Sequence, residues 1–167
     1  MCPIPSDSGP LEVVVRSESE TDRLGALLAD ALEPGTVVAL VGNLGAGKTR
    51  LVRAVAIAAG VDPREINSPT FVLVHEYEGR WQIYHFDTYR LQNPDEFLDL
   101  GALDYFASGG ICFVEWADRV PQALPVDHLR IEIETIGETE RMFRISAGGA
   151  TARRAVDRLS QHLRSTN

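Results

Sequence analysis

The sequence predicts one α/β domain, a central mixed or parallel sheet flanked by helices. Three observations carry this. TVVALV (36–41) and ICFVEW (111–116) are continuous apolar runs of strand length, as expected of strands covered on both faces. LRIEIETI (129–136) and ERMFRIS (140–146) alternate in period two around Gly137, the pattern of a hairpin with one face on the core. Several of the segments around these runs carry the apolar spacing of amphipathic helices.

In chain order, MCPIPSDSGP has neither the basic flank nor the apolar stretch of a secretory signal. Residues 1–10 are therefore expected to be a loose tail and 11–164 the folded domain. LEVVVR (11–16) reads as a short β-branched strand. Ser19, with Asp22 three residues later, offers a capping-box-like helix start. Leu24, Leu27, Leu28, Ala31 and Leu32 form that helix's apolar stripe, and Pro34-Gly35 stops it. After TVVALV and a glycine-rich loop, TRLVRAVAIAAG is helical and ends at Gly60. VDPREINSP (61–69) is a loop, and FVLVHEY (71–77) and RWQIYHFD (80–87) are strands joined through Glu78-Gly79. A helical stretch from Asn93 to about Ala107 is expected in two pieces because Gly101 interrupts it. The last helix, Thr151 to Leu163, turns Ala152, Ala155, Val156, Leu159 and Leu163 inward and its arginines outward.

The 167 residues are 44% hydrophobic and 24% charged, which suits one globular domain. No run approaches the ~18 apolar residues of a membrane span. Cys2 and Cys112 have no metal spacing, so a reducing, cytoplasmic setting is expected rather than a disulfide framework. The net charge of −8 is uneven: residues 1–140 hold 23 acids and 10 bases, whereas 141–167 hold six arginines and one aspartate. An acidic body is a poor independent binder of nucleic acid, so RNA would have to be held by something else. The basic end (Arg141, Arg144, Arg153, Arg154, Arg158, Arg164) is either a contact for tRNA or an acidic partner, or a solvated amphipathic helix. The second reading is favoured, because late arginines complement the helix dipole.

The chemistry concentrates in GNLGAGKT, Gly42 to Thr49, which fits G-x-x-x-x-G-K-[ST] between an apolar strand and a helix. Such a loop turns successive backbone N–H groups inward as an anion nest at a helix N-terminus. Lys48 would reach the β- and γ-phosphates and the Thr49 hydroxyl would sit on Mg²⁺. Lys48 is the single lysine of a chain that otherwise uses arginine. A compact ammonium on a flexible stem enters a gap that a planar guanidinium does not. The motif predicts a P-loop NTPase-like domain.

A phosphate cradle needs a carboxylate for the magnesium or its waters, usually at the end of a neighbouring strand. Glu115 ends ICFV and Asp87 ends QIYHF, so both are candidates. His75, His85, His128 and His162 share no ligand spacing, and His85 reads as a packed or hydrogen-bonded strand residue. HFDTYR has the H-x-D of a kinase catalytic loop, but that loop wants asparagine where this chain has Gln92.

GNLGAGKT, NSPTF (67–71), HFDTYRL (85–91) and GICFVEWADR (110–119), in this order and spacing, resemble the bacterial TsaE (YjeE-like) family over roughly residues 11–135. These are small P-loop ATPases required for threonylcarbamoyladenosine formation in tRNA. The resemblance implies ATP and Mg²⁺ as cofactors and a nucleotide-binding set of Asn43, Leu44, Gly45, Ala46, Gly47, Lys48, Thr49 and Arg50, with Trp116 packed near the nucleotide. Lys48, Thr70, Asp87 and Glu115 would form the catalytic set, and Thr49, Asp87 and Glu115 the metal set. Ser68, Pro69 and Thr70 would form a switch-like loop near the γ-phosphate, with Thr70 sensing nucleotide state. Either Asp87 or Glu115 would be the direct metal ligand. The implied partner is the two-protein complex that transfers threonylcarbamoyl to adenosine 37 of tRNA, with tRNA reached only through that complex. Asn43 stands where the family usually has Asp, Thr88 where it has an apolar residue, and Ala117-Asp118 where it often has Pro-Glu.

The alternative is a small-molecule kinase of the shikimate-kinase-like type. Such enzymes need a basic lid, whereas the stretch from Leu91 to Gly109 carries Asp95, Glu96, Asp99 and Asp104. A guanine-nucleotide switch would need a second lysine for N-K-x-D. Arg90 either reaches a phosphate or partner, or pairs with the acidic helix beside it.

Overall fold

The continuous apolar runs form the middle of a sheet and the alternating ones lie beside it, as burial on two faces or one requires. The computed structural model describes residues 2–4, 9–66 and 73–166. Its strands are β1 (Cys2–Ile4), β2 (Leu11–Val15), β3 (Val37–Val41), β4 (Val74–Glu78), β5 (Gln82–Asp87), β6 (Ile111–Glu115), β7 (Leu129–Thr135) and β8 (Arg141–Ala147). They form one sheet in the order β1-β2-β8-β7-β3-β6-β5-β4. β3 pairs in parallel with both β6 and β7, and β6 in parallel with β5. The remaining pairings are antiparallel, so the sheet is mixed.

Helices α1 (Glu18–Ala31), α2 (Lys48–Ala58) and α5 (Ala150–Ser165) cover one face, with Leu24, Leu28, Leu51, Val55 and Leu159 packed on Val38, Leu40, Phe113, Ile131 and Phe143. The shorter α3 (Pro94–Asp99) and α4 (Ala102–Ala107) cover the other, where Phe86 meets Phe97 edge-on at 5.3 Å above Ala39, Cys112 and Val114. Gly101, at φ 81, divides these two helices as predicted. β6 is buried along its whole length. Burial pushes the Cys112 thiol up to about 12, so it is an inert core residue.

Two local expectations change. SESETD (17–22) holds two Ser-x-x-acid pairs, and the structure uses the earlier one. Ser17, in extended backbone, caps α1 by accepting from the Glu20 N–H, while Glu20 accepts from the Arg16 N–H. Asp22, freed from capping, pairs with Arg50. Within the expected tail, Cys2–Ile4 pairs antiparallel with β2 and forms the sheet edge. Three residues are too few to show a period in sequence.

The basic end folds back on the acidic body. Arg154 and Arg158 both reach Glu33, and Arg144 bridges Glu12 and Glu134. The N-terminus of α5 has glycine at its cap position and is capped from outside, because Asp127 accepts from the N–H groups of Ala152 and Thr151 at 3.0 and 2.9 Å. Those two donors hold the Asp127 carboxyl below its usual range. A carboxyl lowered by folding stabilises the protein above the unfolded value of about 3.9 and loses that contribution as pH falls through its folded value. Asp127→Ala is therefore expected to cost about 1 kcal/mol near neutrality. The gap to wild type narrows below pH ~4, and urea midpoints at several pH values check this.

Candidate functional site

The site lies where the parallel strands end, the edge at which sheets of this class bind ligands. β3 runs into the loop at Gly42. A Cβ there would stand 2.6 Å from the Ile133 carbonyl oxygen and 3.1 Å from the Ala46 Cβ, so the chain can leave the sheet this way only with glycine. Gly47, at φ 110, is the cap position of α2, and no side chain caps the helix. The first-turn N–H groups of α2, which have no partner within the helix, therefore face the loop. Arg141 at the start of β8 braces the loop by donating from Nε to the Ala46 carbonyl at 3.2 Å.

Lys48 is 4% exposed. Its Nζ donates to the carbonyls of Gly42 and Asn43 at 2.6 and 3.0 Å and sits 3.7 Å from the centroid of the Trp116 ring. Burial lowers its pKa below the ordinary lysine value, and Glu115, Asp118 and Asp87 pull it back up. At the end of β6, Glu115 is 3% exposed and its Oε1 accepts from the Thr49 hydroxyl at 2.7 Å. His85 Nε2 lies 2.7 Å from the same oxygen. Asp87 is the register partner of Glu115 on the adjacent strand, and its Oδ1 accepts from the Tyr89 N–H.

Trp116 follows Glu115 with φ 58, in the left-handed region, a position strained for an aromatic residue. Its ring lies 4.7 Å from that of Tyr89, whose carbonyl accepts from Arg119. Thr88, fully buried, holds the turn: its hydroxyl is 2.8 Å from the carbonyl oxygens of both Glu115 and Trp116. This accounts for a threonine where the family resemblance expects an apolar side chain. Thr88→Val keeps the shape and loses the hydroxyl, and is expected to cost about 1 kcal/mol in thermal or urea unfolding.

Lys48, Thr49, Asp87, Tyr89, Glu115 and Trp116 border a cleft of about 650 Å³. Its lining includes Leu44 to Arg50, Asp87, Glu115 and Trp116, so nearly all the residues predicted from sequence meet in one place. Asn43 adds its carbonyl to the Lys48 cradle, and Leu44 stands 81% exposed at the loop tip. Arg50 lines the cleft while paired with Glu18 and Asp22 of α1. Arg90 also lines it. Ser68, Pro69 and Thr70 lie outside the described residues.

The donor set fits a magnesium ion held together with a nucleotide. Such an ion takes one or two carboxylates and completes its shell with phosphates and waters. Thr49 and Glu115 are joined at 2.7 Å, with Asp87 beside them. Among the described residues no group of three or more His, Cys, Asp or Glu could cage a metal by itself. No described helix is long and apolar enough to cross a membrane.

The model of the family described as "Threonylcarbamoyl adenosine biosynthesis protein TsaE" matches residues 15–143. The chain belongs to the TsaE family. A TsaE protein of Treponema pallidum (strain Nichols) is 38% identical over 136 residues, covering 81% of this chain and 100% of its own length. One of Bacillus subtilis (strain 168) is 39% identical over 144 residues, 86% of this chain and 89% of that protein. Both are named tRNA threonylcarbamoyladenosine biosynthesis protein TsaE. The crystal structure of Bacillus subtilis YdiB superposes with a TM-score of 0.75 at 33% identity, covering 91% of this chain and 95% of that one. The fold is the P-loop NTPase-like fold of TsaE proteins.

His85 is the site residue that sequence reasoning undervalued. A lone histidine in a strand carries little weight, yet the period of two places His85 and Asp87 on one face of β5. That pairing was the available signal.

Proposed function

We propose that this protein is a Mg²⁺-dependent ATPase that supports threonylcarbamoyl transfer to adenosine 37 of tRNA, working with a two-protein transferase complex. The observation that carries the reading is the contact of the Thr49 hydroxyl with Glu115 at the foot of an uncapped glycine loop, with Lys48 buried beside it. Family membership adds the pathway.

In this reading the first-turn N–H groups of α2 and the Lys48 ammonium hold the β- and γ-phosphates. Thr49 and Glu115, with Asp87 alongside, would hold Mg²⁺, which would supply neutralising charge to the phosphates. A water held by Asp87 or Glu115 would attack the γ-phosphorus as its bond to the β–γ bridging oxygen breaks, giving ADP and inorganic phosphate with the water's proton passing to solvent, and Lys48 would stabilise the charge that develops. Thr70 is assigned the sensing of the γ-phosphate. Trp116 packs against the nucleotide side of Lys48, and Arg50 anchors the loop helix to α1 through Glu18 and Asp22. Hydrolysis resets the partner complex and leaves the transfer chemistry to it. The acidic body makes the complex, not this chain, the holder of tRNA.

The test is phosphate release by the purified protein, alone and with its cognate transfer complex and tRNA. Slow turnover alone, stimulation by the complex and repeated rounds of tRNA modification are expected. Absence of stimulation, with transfer of phosphate to a small acceptor instead, would replace this reading with that of a kinase.

A further inference from the structure

His85 sits in the middle of β5 with Ile83 behind it and Phe113 opposite in register, both fully buried. It is itself 1% exposed. Its Nε2 is 2.7 Å from Glu115 Oε1, and Nδ1 is buried with no partner among the described residues. The carboxylate oxygen is the acceptor of this contact and Nε2 its donor. Burying an imidazole with one nitrogen unpaired costs more than burying an apolar side chain of the same size. Among the described residues, the one hydrogen bond the ring makes is to Glu115.

That bond has a partner on the other side. The Thr49 hydroxyl donates to the same Oε1, leaving Oε2 as the carboxylate oxygen with no hydrogen bond among the described residues. Thr49 belongs to the glycine loop and helix α2, whereas His85 belongs to the sheet. A carboxylate held by Thr49 alone would turn whenever that hydroxyl re-aims toward a ligand. A second donor from a buried strand keeps it in place.

We propose that His85 is a positioning residue that fixes the Glu115 carboxylate from the sheet side and presents Oε2 to the metal. The proposal deepens the ATPase reading and rests on Glu115 holding Mg²⁺. Partners of this kind to a ligating carboxylate are worth about 10–100-fold in metal affinity or activity.

The experiment compares His85→Gln, which keeps a donor near the Nε2 position, with His85→Phe, which keeps a ring and no donor. The readouts are melting temperature, affinity for a fluorescent ADP analogue with and without Mg²⁺, and the kcat and KM of ATP hydrolysis. His85→Phe is expected to leave Mg²⁺-free nucleotide affinity within about 2-fold, raise the Mg²⁺ requirement about 10–100-fold and lower kcat with little change in KM. His85→Gln restores most of both. In wild type without ligand, ¹⁵N-histidine NMR should show a hydrogen on His85 Nε2, the nitrogen facing Glu115. An Nε2 without a hydrogen, or Phe and Gln variants with the wild-type Mg²⁺ requirement, overturns the proposal. Glu115→Gln separates the two levels. If it leaves the Mg²⁺ requirement unchanged, the metal reading of Glu115 falls and His85's role with it. If it shifts the requirement and His85→Phe does not, His85 alone is excluded.

Discussion

Lys48→Ala is expected to lower ATP turnover by about 10²–10³-fold, the scale of removing one preorganised donor from a developing charge, while the protein stays folded. The second half of that expectation follows from the geometry. Without a bound anion the ammonium is buried against two carbonyls and an aromatic face, and burial lowers its pKa. For a base with a lowered folded pKa, the unfolded chain binds more protons between the two values. Stability therefore rises with pH across that window, and below it the buried charge costs stability in full. Truncating Lys48 removes that cost, so the variant should melt no lower than wild type in a ligand-free scan. Lys48→Arg should be as inactive as the alanine variant, because the guanidinium fork does not fit the space between the Gly42 and Asn43 carbonyls. As Lys48 is the chain's single lysine, ¹³Cε-lysine labelling yields one side-chain resonance that reports on this group alone. Its titration should move to higher pH when ADP supplies a counter-charge. Turnover that survives Lys48→Ala, or a resonance indifferent to ADP, would remove the phosphate role.

Glu115→Gln is expected to reduce Mg²⁺-dependent hydrolysis by about 10²-fold with the fold retained. Thr49 and His85 converge on Oε1, and glutamine can accept both there, so the contacts persist and the charge is lost. Glu115→Ala differs in kind. It strands the buried His85 donor and should cost a further 1–3 kcal/mol of stability, roughly the desolvation penalty of one unpaired group. Asp87→Asn is the control for charge alone, since asparagine still accepts the Tyr89 N–H. The Mg²⁺ requirement should shift more in Glu115→Gln than in Asp87→Asn, because only Glu115 is already joined to the Thr49 hydroxyl. Mg²⁺ titrations of both variants check this, and the reverse order would make Asp87 the direct ligand.

Much of the cleft was readable in the sequence for physical reasons that apply to few other segments. The runs 36–41 and 111–116 are too apolar for anything but a doubly covered strand, and each ends in chemistry, Gly42 in one case and Glu115 in the other. Gly101 marked the break between α3 and α4 because its φ of 81 suits glycine. What escaped depends on partners distant in sequence. Ser17 and Ser19 are equivalent as letters, and only the extended backbone at Ser17 decides the cap. The role of Thr88 requires the carbonyls of Glu115 and Trp116 beneath it. Asp127 caps a helix that begins more than twenty residues later. His85 looks like any strand histidine until β6 brings Glu115 alongside.

The strand that leads into the phosphate loop has remote neighbours on both of its sides. Val37 is paired with Cys112 and Val38 with Leu129, whereas the hairpins of β4 with β5 and β7 with β8 close locally. Closing such long loops is entropically expensive and slow relative to local pairing. During synthesis the loop is complete once Thr49 has emerged, yet β3 stays unpaired on both sides until the chain has been made beyond Ile111 and then Leu129. Ribosome-bound chains arrested before Glu115 should therefore hold no nucleotide, although they carry every residue of the loop itself.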